Sequence, residues 1–172
     1  LSATGSWIEM DASPHVPNNA IGLIFDVEQR NWNSKWGLRM KGSTDSHIEF
    51  NSRHAWAIIG ADANQKIEGY KGRSDVTFHL IGYITEGAKF FVNSKDKSIS
   101  QLNQWTEIDA SVDAPNATGL IFELTADSDG HGRYGFRKNG FPEDITLPFN
   151  SHPWVIVETD DQQKVEAFKA DK

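Results

Sequence analysis

The chain has 172 residues, no cysteine, 38% apolar residues and a formal net charge of −7. That composition suits one or two folded domains rather than a disordered segment, and it rules out disulfides and thiolate metal sites. No apolar run approaches the ~18 residues that span a bilayer. An acidic chain without a basic stripe is also a poor partner for nucleic acid, because phosphate neutralisation supplies most of that affinity.

The first segment, WIEMDAS at 7–13, alternates weakly and has no helical period, which predicts a strand. Residues 1–4 do not form a signal peptide, although they fit a mature N-terminus left after one is removed. Pro14, Pro17, Asn18 and Asn19 make a loop. The apolar run 21–27, closed by charges, has the pattern of a strand buried between two layers. Residues 36–42, WGLRMKG, alternate again and stop at Gly42. The polar stretch 43–53 is a long connection. Residues 56–60 and 66–70 read as strands joined in a hairpin, with Asp62 and Asn64 as turn formers. Residues 75–84 alternate Val76, Phe78 and Leu80 against Thr77, His79 and Ile81, and 88–92 reads as one more short strand.

The same order then recurs. WTEIDASVDAPNATGLIF at 105–122 repeats WIEMDASPHVPNNAIGLIF at 7–25. Tyr134-Gly-Phe-Arg answers Trp36-Gly-Leu-Arg, and Lys164-Val-Glu-Ala-Phe answers Lys66-Ile-Glu-Gly-Tyr. Trp105 follows Trp7 by 98 positions. Many short strands with turn signals between them predict an all-β chain of two tandem jelly-roll-like antiparallel β-sandwich domains, arising from an internal duplication. The expected domains are 1–86 and 87–172. Residues 1–104 balance eleven acids with eleven bases, so all of the excess negative charge lies in the second copy.

The second copy has no counterpart of residues 75–104. A sandwich short of a strand leaves an unpaired edge, which proteins normally cover. One expectation is strand pairing between chains, giving a fibre or a closed homo-oligomer. The other is a shortened second domain, or a piece of a longer array.

The recurring pattern is Trp-x-x-Ile/Met-Asp-Ala-Ser, then Gly-Leu-Ile-Phe, then aromatic-Gly-x-Arg-x-x-Gly, closing in Ile-Gly-Tyr-Ile. It is carried by Trp7, Asp11, Ser13, Gly22, Trp36, Arg39, Gly42 and 82–84, and again by Trp105, Asp109, Ser111, Gly119, Tyr134, Arg137 and Gly140. It resembles a β-sandwich module of phage tail fibres and bacterial extracellular or adhesion proteins. The resemblance implies a non-enzymatic, surface-exposed role, secreted or virion-associated, and it brings no catalytic residues.

Candidate site residues fall on one loop. Between the second and third strands the first copy reads EQRNWNSKW at 28–36, whereas the second reads DSDGHG at 127–132. Loops on a rigid scaffold commonly carry binding function. A Trp on a polar loop can stack on a sugar or anchor a receptor contact. Trp32, Arg30, Asn31 and Trp36 are therefore the candidate ligand contacts, with a glycan or cell-surface receptor as partner, although Trp36 also fits a core strand position. Asp127 and Asp129, with Gly130 after them, are a fragment of an oxygen-ligand loop for calcium. An acidic turn explains them equally well. Trp7, Trp56, Trp105 and Trp154 recur and read as core aromatics. His54 and His152 recur beside two of them and read as loop or strand-end residues rather than metal ligands. Arg39 and Arg137, with Asp11 and Asp109, suit a cross-strand or loop-pinning ion pair. No nucleophile elbow, phosphate loop or dinucleotide fingerprint is present, so a non-catalytic protein is expected.

Overall fold

The structure is a computed structural model and describes residues 4–31, 34–50, 54–125, 132–148 and 152–171. Its described residues hold thirteen strands, all pairing antiparallel, and no helix. Two compact units divide the chain, Leu1–Ser94 and Lys95–Lys172.

The first unit contains β1 (Trp7–Asp11), β2 (Gly22–Gln29), β3 (Lys35–Met40), β4 (Glu49–Phe50), β5 (His54–Gly60), β6 (Lys66–Lys71) and β7 (Val76–Ile84). They form two sheets, ordered β1-β6-β3-β4 and β5-β2-β7. The alternation of each strand decides its inner face. Leu23, Phe25 and Val27 on β2 are buried, as are Trp36 and Leu38 on β3, Ala57 on β5, Ile67 on β6 and Val76 on β7. Full burial of such side chains stabilises by roughly 1.5–3 kcal/mol each. Trp36 meets the ring of Phe78 edge-on, with centroids 6.2 Å apart.

β5 and β6 do not form the expected hairpin. β5 pairs with β2, and β6 pairs with β1 and β3, so residues 61–65 form an arch from one sheet to the other. Asp62 shapes the arch by accepting the amides of Asn64 at 2.9 Å and Lys66 at 2.8 Å. Gln65 adopts a left-handed φ of 57°, and its buried amide donates to the carbonyl of Asn18. Turn chemistry was legible in these residues, but it does not say which sheet receives the next strand.

Residues 88–92 are not a strand, and they belong to the first unit rather than opening the second. Phe90 lies against Gly22 and Gly60, where only glycine leaves room for the ring. Asn93 then accepts from Ser43 and Thr44, and the amide of Ser94 donates to Asp45. These contacts carry the boundary past residue 86.

The second unit contains β8 (Trp105–Asp109), β9 (Gly119–Glu123), β10 (Gly132–Lys138), β11 (Leu147–Pro148), β12 (Trp154–Glu158) and β13 (Lys164–Asp171). Its sheets are β11-β10-β13-β8 and the two-stranded β12-β9. Registers match the first unit 98 positions on: Trp105 opposes Phe168 as Trp7 opposes Tyr70, and Asp109 opposes Lys164 as Asp11 opposes Lys66. The core is Ile108, Val157, Val165 and Ala167, with Ile99, Leu120, Phe122 and Phe136 packed on it. Nothing among the described residues pairs with β9 in the way that β7 pairs with β2.

Candidate functional site

The outer face of β5-β2-β7 gathers the most chemistry in the first unit. Register places Trp56 and His79 on either side of Asp26, and His54 and Thr77 on either side of Glu28. With period-2 alternation all of these point away from the core, while Ala55, Ala57, Phe25 and Val27 take the inner side. Trp56 is 65% exposed, so it is a surface platform and not the core aromatic that its recurrence implied. His54 Nε2 lies 2.9 Å from Asp26 Oδ1 and 3.8 Å from Glu28 Oε1, and His79 Nε2 lies 3.8 Å from Glu28 Oε2. Asp26, Glu28 and His54 could together hold a metal ion, since their ligand atoms all fall within 4.8 Å of one another.

The alternation of HAWAII at 54–59 carried a usable signal. Small alanines at 55 and 57 mark the side where β5 packs closely, which leaves Trp56 on the opposite side. Repeated aromatics suggested core instead, because recurrence marks a shared scaffold position without stating which face it occupies. His79 could not have been joined to His54 from sequence spacing, since only the β2 register brings their strands to one surface.

The predicted loop residues separate. Arg30 is exposed and follows Glu28 by two residues. Asn31 is engaged by Asp75, whose Oδ2 accepts its backbone amide at 3.0 Å and its side-chain Nδ2 at 2.6 Å. The hydroxyl of Ser34 donates to the other oxygen of the same carboxylate at 2.7 Å. Burial alone would raise the pKa of Asp75, but these bonds outweigh it and hold the carboxyl below its ordinary value. Trp36 is fully buried, so no ligand can reach it, and its assignment as a contact is corrected: alternation on β3 turns it inward with Leu38. Trp32, Asp127 and Asp129 lie outside the described residues.

Trp7 and Trp105 are likewise not core side chains. Each lies on the outer face of its sheet, with an arginine above it: Arg39 Cζ is 4.2 Å from the Trp7 ring centroid and Arg137 Cζ is 4.1 Å from that of Trp105. Each arginine donates to a glutamate on the neighbouring strand, Arg39 to Glu68 at 2.8 Å and Arg137 to Glu166 at 2.7 Å. The cross-strand ion pair is therefore present with a glutamate partner. Asp11 and Asp109 instead accept the amides of Ser13 and Ser111 and shape the loops that follow. The hydroxyls and amides of those serines hold both carboxyls below the ordinary aspartate range.

The second unit treats the equivalent face differently. His152 Nε2 stands 2.6 Å from Glu123 Oε1, mirroring His54 and Asp26, but His152 is wholly buried and lies against the Trp154 ring at 4.6 Å. A cleft of about 430 Å³ opens nearby between Tyr134, Phe136, Ile145, Leu147, Trp154 and Ile156. Its lining is mainly apolar and also includes Arg137 and Glu143. No protein-family model, curated protein or solved structure matches this chain, so the chemistry of these surfaces, rather than kinship, carries the functional reading.

Proposed function

We propose that this is a non-catalytic surface-binding module that takes a glycan on the outer face of β5-β2-β7, with Trp56 as its stacking platform. The observation that carries the reading is a large exposed aromatic on a sheet face, flanked by hydrogen-bonding carboxylates and imidazoles. A sugar presents an apolar ring face edged by hydroxyls, and that surface offers both complements: an indole for the ring, and Asp26, Glu28, His54 and His79 for the hydroxyls. Arg30 follows β2 directly, two residues after Glu28, and would extend the contact. The resemblance to tail-fibre and adhesion modules supports placing such a surface outside the cell or on a virion.

A glycan array tests this directly. Binding is expected on a subset of glycans and should fall about tenfold or more in Trp56→Ala, because a stacked aromatic anchor contributes at least ~1.4 kcal/mol. Trp32→Ala should weaken it less. A blank array, or an unchanged profile in Trp56→Ala, rejects the reading.

A second reading is favoured by a different observation: β9 has a partner on one edge only among the described residues, and Ile121 and Ile156 are exposed on the two-stranded sheet. In this reading the chain is a structural subunit of a fibre, coat or appendage, with the β9 edge pairing against a second copy. Its signature is concentration-dependent association in sedimentation.

A further inference from the structure

We propose that Asp26, Glu28 and His54 form a binding site for a zinc-class divalent cation on the outer face of β5-β2-β7, with His79 beside it. Two strands supply the ligands. Asp26 and Glu28 stand at i and i+2 on β2 and so share a face, His54 is the register partner of Glu28 on β5, and His79 is the register partner of Asp26 on β7. The site exists only through sheet pairing and corresponds to no sequence motif.

The spacings fit an ion at the centre. Zinc bonds of about 2.0–2.2 Å to imidazole nitrogen and carboxylate oxygen set the ligand atoms of a tetrahedron about 3.3–3.6 Å apart. His54 Nε2 stands 2.9 Å from Asp26 Oδ1 and 3.8 Å from Glu28 Oε1, which bracket that edge, and all three ligand atoms lie within 4.8 Å of one another. A donor set of one imidazole and two carboxylates, with a position left for water, suits zinc and its neighbours, whereas calcium takes six to eight oxygens.

A second observation singles out Asp26. Its Oδ1 is shielded from water and receives no hydrogen bond among the described residues. His54 Nε2 approaches that atom to 2.9 Å without the alignment of a hydrogen bond. A shielded carboxylate oxygen is costly unless something positive satisfies it, and a cation shared with His54 would do so.

The second unit provides an internal comparison. There the same imidazole–carboxylate pair, His152 with Glu123, is sealed by burial and short at 2.6 Å, which is what a purely structural pair looks like. Position 125, the counterpart of Glu28, is threonine, and among the described residues no strand takes the place of β7. In the first unit His54 is 55% exposed, and Glu28 joins the pair with its ligand atom within 4.8 Å of both. The inference does not depend on the glycan reading, because cation binding is measured without any sugar.

Equilibrium dialysis of the full chain against micromolar zinc, with metal quantified per chain, is the experiment. One equivalent is expected, retained with calcium and magnesium in excess. Cobalt in place of zinc should give the intense visible absorption of a tetrahedral ion. His54→Ala and Asp26→Asn should each weaken zinc binding by about 100-fold, and Glu28→Gln by at least about 10-fold. His15→Ala, on an exposed loop away from the cluster, should leave it unchanged. Circular dichroism checks each variant's fold, and Glu28→Gln carries the test should either of the other two fail to fold. Absence of bound zinc at tens of micromolar overturns the proposal. Zinc held equally well by the folded variants overturns it too, since the ion then sits elsewhere.

Discussion

Asp75 shows how much of a loop's conformation one carboxylate can hold. It stands at the entry to β7 and takes three hydrogen bonds from Asn31 and Ser34, more than forty residues earlier in the chain. Replacing it by asparagine keeps the shape but removes the charge that strengthens those bonds. Asp75→Asn should lose about 1 kcal/mol of stability at neutral pH, read as a lower denaturation midpoint. The pH dependence has a definite sign. Because folding lowers the pKa of Asp75, its contribution is complete above the ordinary aspartate range and is lost as pH falls through the folded value. The gap between wild type and variant should therefore close in acid, and a gap that persists unchanged at low pH would show that the charge is not responsible. Asn31 was legible as a loop polar group, but its partner was not, since nothing in the sequence ties residue 31 to residue 75. Trp56 and Trp36 exchanged their expected roles for a related reason. Aromatic identity and recurrence mark both as important, and only the inward or outward sense of each strand separates a platform from a core residue.

At the scale of strands, the alternating and apolar runs predicted most elements close to where they occur, including β2, β3 and β7. Pairing was less legible. The sequence places a turn at 61–65, yet whether a turn closes a hairpin or arches between layers depends on which faces are apolar on both flanking strands at once. The outer face of β1-β6-β3 illustrates a second hidden constraint. The Trp7 ring reaches Gly37 on β3: a Cβ built there would come within 2.3 Å of the His47 carbonyl oxygen and 2.9 Å of Trp7 Cη2. A backbone carbonyl cannot step aside cheaply, so Gly37→Ala should cost about 1–3 kcal/mol through overpacking. Gly72→Ala should cost clearly less, because its nearest atom, the Lys35 carbonyl oxygen, is 3.3 Å away. Urea denaturation of the two variants side by side is the check. Equal losses would show that the Trp7–Gly37 contact does not constrain the sheet. Gly135 repeats the arrangement against Trp105 and the Ile145 carbonyl, which explains why aromatic-Gly-x-Arg appears in both copies: the glycine admits the indole, and the arginine covers it.

For the molecule as a whole, the excess charge and the two-stranded sheet lie in the same unit. All of the net negative charge falls within residues 105–172, and Glu123 and Glu158 stand at the two ends of the β12-β9 ribbon. Two copies meeting along β9 would bring these acidic units together. Strand pairing contributes backbone hydrogen bonds and the burial of Ile121, while like charges oppose the approach. Exposed charges interact over about 10 Å at 0.1 M salt and over about 3 Å at 1 M, so added salt removes the opposing term and leaves the pairing term nearly untouched. Sedimentation velocity should therefore show association that rises with protein concentration and strengthens as salt increases. Ile121→Lys should abolish it, because a lysine on the ribbon face is a device by which exposed edges resist pairing. Association that weakens with salt would point to ion pairs elsewhere on the surface. A monomer at every concentration and salt level would reject the fibre reading.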